Sequence, residues 1–279
     1  MLSKNELYKF SPFQTIICII YIMAANPPPP PINRRTNADI KQAVNFWTGY
    51  SNRAAAINRY GHISDWDVSR VTDMQHLFFE KFYFNDDISL WDVSNVTNMH
   101  GIFRDARSFN QPIGAWNVSN VTNMAAMFWS AWEFNQPIGN WNVSRATKME
   151  SMFRVARNFN QPIGGWNVSR VITMDNMFFF AENFNQPIGG WNVSNVRDMT
   201  RMFFHAAAFD QDISGWNIAN IDSNNEMFVE CPIYDTNKAI RGDPLGESTY
   251  PFDNDATAFD NIITLEDVNV KTYLDANIR

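Results

Sequence analysis

Apolar residues return along the chain at one fixed interval. Trp66, Trp91, Trp116, Trp141, Trp166, Trp191 and Trp216 stand 25 residues apart without insertion or deletion. In the same register run Ile63 through Ile213, Val68 through Val193 closing on Ile218, and Phe78, Phe103, Phe128, Phe153, Phe178, Phe203 and Phe228. A further aromatic column runs from Phe84 to Phe209 and closes on Tyr234. A period of this length marks units that cannot bury their apolar side alone and are covered by their neighbours. The pattern predicts an α/β solenoid, a stack of seven 25-residue coils over residues 61–234.

The best-preserved unit reads FNQPIGxWNVSNVTNMxxMFxxA. Its W-N-V triplet alternates as a short strand does, which predicts a parallel ladder between coils. V-T-N-M is a second extended piece. MxxMFxxA then spaces apolar groups as one face of a short helical turn, with Thr72/Gln75 and Thr147/Glu150 spaced as capping boxes. Pro112, Pro137, Pro162 and Pro187 hold the return to the next strand extended. At about 4.8 Å per coil the body would be roughly 30–35 Å long. The methionines fall in the apolar register and read as core filler between aromatic columns.

The polar positions repeat as well. Asn110, Asn135, Asn160 and Asn185, and the serines after each Val, sit at fixed bends, where short polar side chains satisfy backbone groups. The outward column Asp67, Asp92, Asn117, Asn142, Asn167, Asn192 and Asn217 reads equally as a flat interaction ladder or as a product of repeat duplication.

Outside the repeats the composition changes. Residues 1–25 form an apolar arm whose stretch 10–25 carries no charge, which reads as a targeting or membrane-associated segment, an anchor, or an arm packed on a neighbour. Residues 26–36, with Pro27 to Pro31, read as a stiff tether, and 37–60 as a helical N-terminal cap broken near Gly49. Residues 235–279 read as an acidic cap or partner-binding extension. From Pro232 onward nine Asp and Glu face four Lys and Arg, alongside apolar residues such as Phe252 and Phe259.

Charge and candidate chemistry narrow the function. A net charge of −7 argues against nucleic acid as a partner. Cys18 and Cys231 cannot build a disulfide framework or a thiolate zinc site. His62, His76, His100 and His205 lack metal-ligand spacing, and Asp65 with Asp67 reads as turn capping. No phosphate-binding glycine loop or nucleophile elbow is present, so no catalytic, cofactor-binding or metal site is expected. Six N-x-S/T matches, beginning at Asn95, Asn117, Asn120, Asn142, Asn167 and Asn192, follow from the repeated NVSNVT string.

The units FNQPIGAWNVSNVTNMAAMF and FNDDISLWDVSNVTNMHGIF, with the leader VNFWTGYSNRAAAINRYGHISDWDVS, resemble the 25-residue branch of the BspA-like leucine-rich-repeat family, found in bacterial surface proteins and large DNA viruses. The resemblance covers residues 37–234 and implies a right-handed leucine-rich-repeat-like stack with parallel short strands and short helical turns. It implies no catalytic consensus. The expected function is a non-enzymatic structural scaffold and protein–protein interaction protein, a minor capsid component of a large DNA virus. Its expected partners are other structural proteins, capsid proteins among them, with membrane contact through residues 10–25 and a place in the virion near an inner membrane. The alternative is a secreted or cell-surface adhesin.

Overall fold

A chain of tight turns, instead of helices, carries each 25-residue unit past the next. The computed structural model describes residues 33–49 and 53–232; the apolar arm, Pro27 to Pro31, Tyr234 and the extension from 235 lie outside the described residues. Along the stretch that begins at Asn98, the N–H groups of Met99, Gly101, Phe103 and Asp105 donate to the carbonyls of Asn123, Ala125, Met127 and Trp129 at 2.7–3.0 Å. The carbonyls of Asn98, His100, Ile102 and Arg104 in turn accept from Met74, His76, Phe78 and Glu80. Alternate peptide groups therefore lie along the stacking direction. The intervening N–H groups of Ile102, Arg104 and Ala106 fold back to Met99, Gly101 and Phe103. Such turns need left-handed residues, and these occur in every unit, at Gly101 and Asp105, Ala126 and Ser130, Ser151 and Val155, and their equivalents.

This corrects two local expectations. MxxMFxxA is not helical, because a helix would spend its N–H groups inside the unit and leave the neighbouring unit's carbonyls unpaired. Nor do Thr72 and Thr147 cap it. In several units the residue at the Asp73 position accepts the N–H two residues on instead: Asp73 Oδ1 accepts the Gln75 N–H at 2.9 Å, and Asn98 and Asn123 act likewise on His100 and Ala125. The parallel pairing is also displaced from its expected place. Isolated bridges join Asp73 to Asn98, Asn98 to Asn123 and so on to Ser223, in the V-T-N-M piece. The W-N-V triplets pair with no neighbouring triplet; only Asp67 bridges there, to Arg34.

Aromatic rings fill the interior in register. Phe103 stacks on Phe109 of its own unit at 3.8 Å and on Phe128 of the next at 5.7 Å, with interplanar angles of 10° and 13°. The same pairing recurs from Phe78 to Phe228. Parallel offset rings suit the aromatic quadrupole and exclude water along the column. The Trp and Ile columns are buried beside them, and Met74, Met99, Met124, Met149, Met174 and Met199 are fully buried.

The first unit has no predecessor, and residues 33–60 take its place. Helix α1 (Ile40–Trp47) buries Ile40, Ala43, Val44 and Trp47, an i, i+3, i+4, i+7 face. Helix α2 (Arg53–Tyr60) buries Ala56 and Tyr60 and ends at Gly61, whose φ of 76° is the left-handed stop that glycine adopts without strain. Contrary to a tether running to residue 36, Asn33 and Arg35 exchange backbone hydrogen bonds with Asp67. Arg35 is only 1% exposed, lies 5.0 Å from the Tyr60 ring and 5.3 Å from that of Trp66, and pairs with Asp39.

Close backbone approach fixes another position. A Cβ at Gly139 would lie 2.2 Å from the Pro162 carbonyl oxygen, whereas one at Gly165 meets nothing within 4 Å. Gly139→Ala should therefore cost about 1–3 kcal/mol, since the obstacle is backbone and cannot rotate away. Gly165→Ala should be close to neutral in the same thermal unfolding measurement. Equal effects would show that the units have room to separate.

Candidate interaction surface

The uniform polar columns are consumed by the chain itself. Asn110 Oδ1 accepts the N–H of Asn135 and the Gln136 amide, both at 3.0 Å, and Asn85, Asn135, Asn160 and Asn185 repeat the arrangement. In the outward column each side-chain oxygen accepts the N–H two residues on, from Asp67 to Ser69 through Asn142 to Ser144 and Asn217 to Ala219. These are Asx turns, so uniformity there has a local cause that duplication and docking do not include. Asp92, Asn117, Asn142, Asn167, Asn192 and Asn217 are exposed and Asp67 is partly so, with Ser69 and then Arg34 holding its carboxyl down at about 2.

Trp66, Trp91, Trp116, Trp141, Trp166, Trp191 and Trp216 are all buried, as are Phe103, Phe128, Phe153, Phe178 and Phe203. Each indole from Trp91 onward donates to the carbonyl of the Ile 28 residues earlier, as Trp141 does to Ile113 at 3.2 Å. Two of the N-x-S/T asparagines, Asn95 and Asn120, spend their amide N–H on Ser69 and Ser94 carbonyls.

Side chains differ from unit to unit on the tight-turn face. One column there reads Phe79, Arg104, Trp129, Arg154, Phe179, Phe204, and another Phe82, Arg107, Trp132, Arg157, Glu182. The guanidinium carbon of Arg104 lies 3.9 Å from the Trp129 ring centre and that of Arg154 4.9 Å. Arg107 and Arg157 approach Trp132 at 4.3 and 5.1 Å, and Arg154 approaches Phe179 at 4.0 Å. These contacts are cation–π ladders. Reading every twenty-fifth residue from Phe79 displays the alternation in the sequence.

Burial dominates the titration of this face. It lowers Arg154 to about 10, with the charges of Arg201 and Arg104 adding to it. It raises the Asp105 and Glu150 carboxyls. It also lowers His205, against the opposing pull of Glu230 2.9 Å away, and His76, where His100, Arg104 and Lys41 act in the same direction.

Among the described residues no three His, Cys, Asp or Glu side chains converge as metal ligands, and no described helix is long and apolar enough to cross a membrane. Residues 48–163 and 133–240 each match the model of a family described as Mycoplasma protein of unknown function, DUF285. The chain belongs to this family. The two matched stretches overlap and together take in both helices' C-terminal partner α2 and every repeat of the turn face. Neither curated proteins nor solved structures yield a match.

Two outcomes follow from the polar groups. Asn142→Asp keeps the acceptor for Ser144, whereas Asn142→Lys removes it and should cost about 1 kcal/mol in thermal or urea unfolding. Equal stability of the two variants would show the turn to be independent of its Asx bond. The histidines set a pH dependence. His76 and His205 bind protons more weakly folded than unfolded, so their stabilising contribution is complete above the ordinary histidine value of about 6.5 and is lost as pH falls below it. Asp105 and Glu150 act in the opposite sense at lower pH. The melting temperature should hold above about pH 7 and fall as the pH drops from about 7 towards 5, and less so in His76→Asn, which retains a residue suited to the left-handed backbone there.

Proposed function

We propose that the chain is a non-enzymatic structural scaffold that binds other proteins through its tight-turn face. The division of labour within the 25-residue unit carries this reading. Constant Trp, Phe, Ile, Asn and Thr positions hold one unit to the next, while the positions that differ between units lie together along the turns. A repeat whose fold is satisfied by its constant residues can vary the remainder for recognition. A right-handed, leucine-rich-repeat-like solenoid is part of the same proposal, supported by parallel bridges between residues 25 apart and by ring columns of the same period.

Two settings suit such a scaffold. The resemblance to viral BspA-like proteins favours a minor capsid component touching other structural proteins, with residues 10–25 reaching a membrane. The resemblance to bacterial surface members favours a secreted or cell-surface adhesin. Photo-crosslinking amino acids placed in the full chain at Ser130 and Glu133, and separately at Asn142 and Asn167, test the reading in the source cells. Adducts of defined mass should arise from the first pair and not the second. A virion protein in the adduct supports the capsid setting and a surface receptor the adhesin; equal yields from both pairs, or none from either, would overturn the scaffold reading.

A further inference from the structure

We infer that Arg104, Arg107, Arg154 and Arg157, held against Trp129 and Trp132, form a docking surface for an acidic segment of a partner protein. This deepens the scaffold reading and rests on it. Each indole is flanked by guanidiniums from the preceding and the following unit, at 3.9 and 4.9 Å for Trp129 and 4.3 and 5.1 Å for Trp132. Four planar cations are thereby gathered around two rings. Guanidiniums present a rigid fork that carboxylates match in two-point fashion, and side chains already ordered against a ring lose less freedom when a ligand arrives.

The neighbouring groups orient the array and leave its arginines partly exposed. Asp105 lies 3.3 Å from Nε of Arg104, Glu182 lies 3.3 Å from Nε of Arg157, and Arg154 Nη1 donates to Asn176 Oδ1 at 3.1 Å. The Arg104 and Arg157 side chains remain 32% and 33% exposed. The indole N–H of Trp132 is buried with no hydrogen-bond acceptor. Arg201 and Arg104 place like charge near Arg154, with Asp175 acting in the opposite direction.

The same geometry selects among anions. Nucleic-acid bases and sugar rings bind by stacking on open aromatic faces, and here guanidiniums approach Trp129 and Trp132 from two units each. A continuous phosphate backbone would also meet the carboxylates of Glu133, Glu150 and Asp175 around the array, on a chain of net charge −7. Discrete carboxylates on a peptide can engage the arginines and avoid those positions.

The test uses the full chain, a fluorescein-labelled peptide of alternating glutamate and glycine, whose carboxylates are discrete, and a ten-nucleotide oligothymidylate. Saturable, salt-sensitive peptide binding is expected, with the oligonucleotide bound much more weakly. Arg104→Lys with Arg154→Lys keeps the charge but removes the fork, and should weaken peptide binding about tenfold or more. Arg107→Lys with Arg157→Lys is an independent second pair should the first lower the melting transition. Arg70→Lys with Arg170→Lys, exposed and outside the array, should bind as the parent does. Absence of saturable peptide binding, unchanged binding by both array variants, or equal affinity for oligothymidylate would overturn the inference. If the peptide fails while crosslinks from Ser130 and Glu133 persist, the acidic chemistry is wrong and the scaffold stands; loss of both removes both.

Discussion

Everything in this chain depends on one accounting constraint, that the amide groups of each turn find their partners in an adjoining unit. Four N–H groups per unit, such as those of Met124, Ala126, Phe128 and Ser130, reach forward to Lys148, Glu150, Met152 and Arg154. A fifth connection runs the other way, from Thr122 back to Thr97. Lengthening one unit by a residue would shift all of these bonds together, which accounts for an unbroken 25-residue period. Peptide groups aligned along a common axis also polarise one another, so each added unit strengthens its neighbours' bonds. Left-handed backbone at residues such as Val155 and Phe180 is unfavourable alone and persists because the surrounding bonds determine it.

The same constraint explains the N-terminal segment. Thr97 donates its N–H to the Thr72 carbonyl, but no earlier unit exists to receive that of Thr72. Asn37 supplies the acceptor, its Oδ1 taking the N–H groups of Thr72 at 2.9 Å and Asp73 at 3.2 Å while its amide donates to the Thr72 hydroxyl. Arg35, Trp47 and Tyr60 meanwhile cover the face of Trp66 that another tryptophan covers elsewhere. Residues 33–49 and 53–60 are thus a molecular substitute for one missing unit, with Asn37 supplying its polar group and Trp47 and Tyr60 its rings.

Legibility in the sequence followed the size of the side chain's role. Columns of large apolar residues displayed their neighbours directly: Phe103, Phe128 and Phe153 are 25 apart in sequence and stacked in space. Backbone conformation was illegible, because left-handed residues here include Glu80, Ala126, Val155 and Phe180, types that do not advertise a positive φ. Apolar spacing of three and four suited a helix equally well, so periodicity alone could not choose. The Asx column was visible as uniformity, but its cause lay in a bond to the N–H two residues on. Asn33 to Arg35 gave no apolar pattern at all, and their place beside Asp67 comes from backbone pairing.

Stacking also dictates which columns can be uniform. Equivalent side chains lie about one ring spacing apart, 5.6 Å between Phe128 and Phe153. Identical uncharged residues gain from that proximity, whereas identical charges at such a distance repel by about 0.7–3 kcal/mol per pair, depending on the local dielectric. Constant columns are accordingly mostly neutral, Trp, Phe, Ile, Val, Asn, Ser and Thr, and the outward column turns from Asp67 and Asp92 to asparagine thereafter. Charged positions in several columns instead alternate, although Glu80 with Asp105 and Glu150 with Asp175 are like-charged neighbours, each pair adding to burial in raising the Asp105 and Glu150 carboxyls. Arg157 faces Glu182, Arg197 faces Asp222, Arg201 faces Glu226 and His205 faces Glu230, each pair 25 residues apart, while Arg104 and Arg154 are kept apart by the ring of Trp129. Variation on the turn face is therefore favoured by electrostatics at Arg157, Arg201 and His205 as well as permitted by the fold. Arg197 and Asp222 show the same alternation in the V-T-N-M piece, away from the turns, so it follows from the stacking and not from one surface.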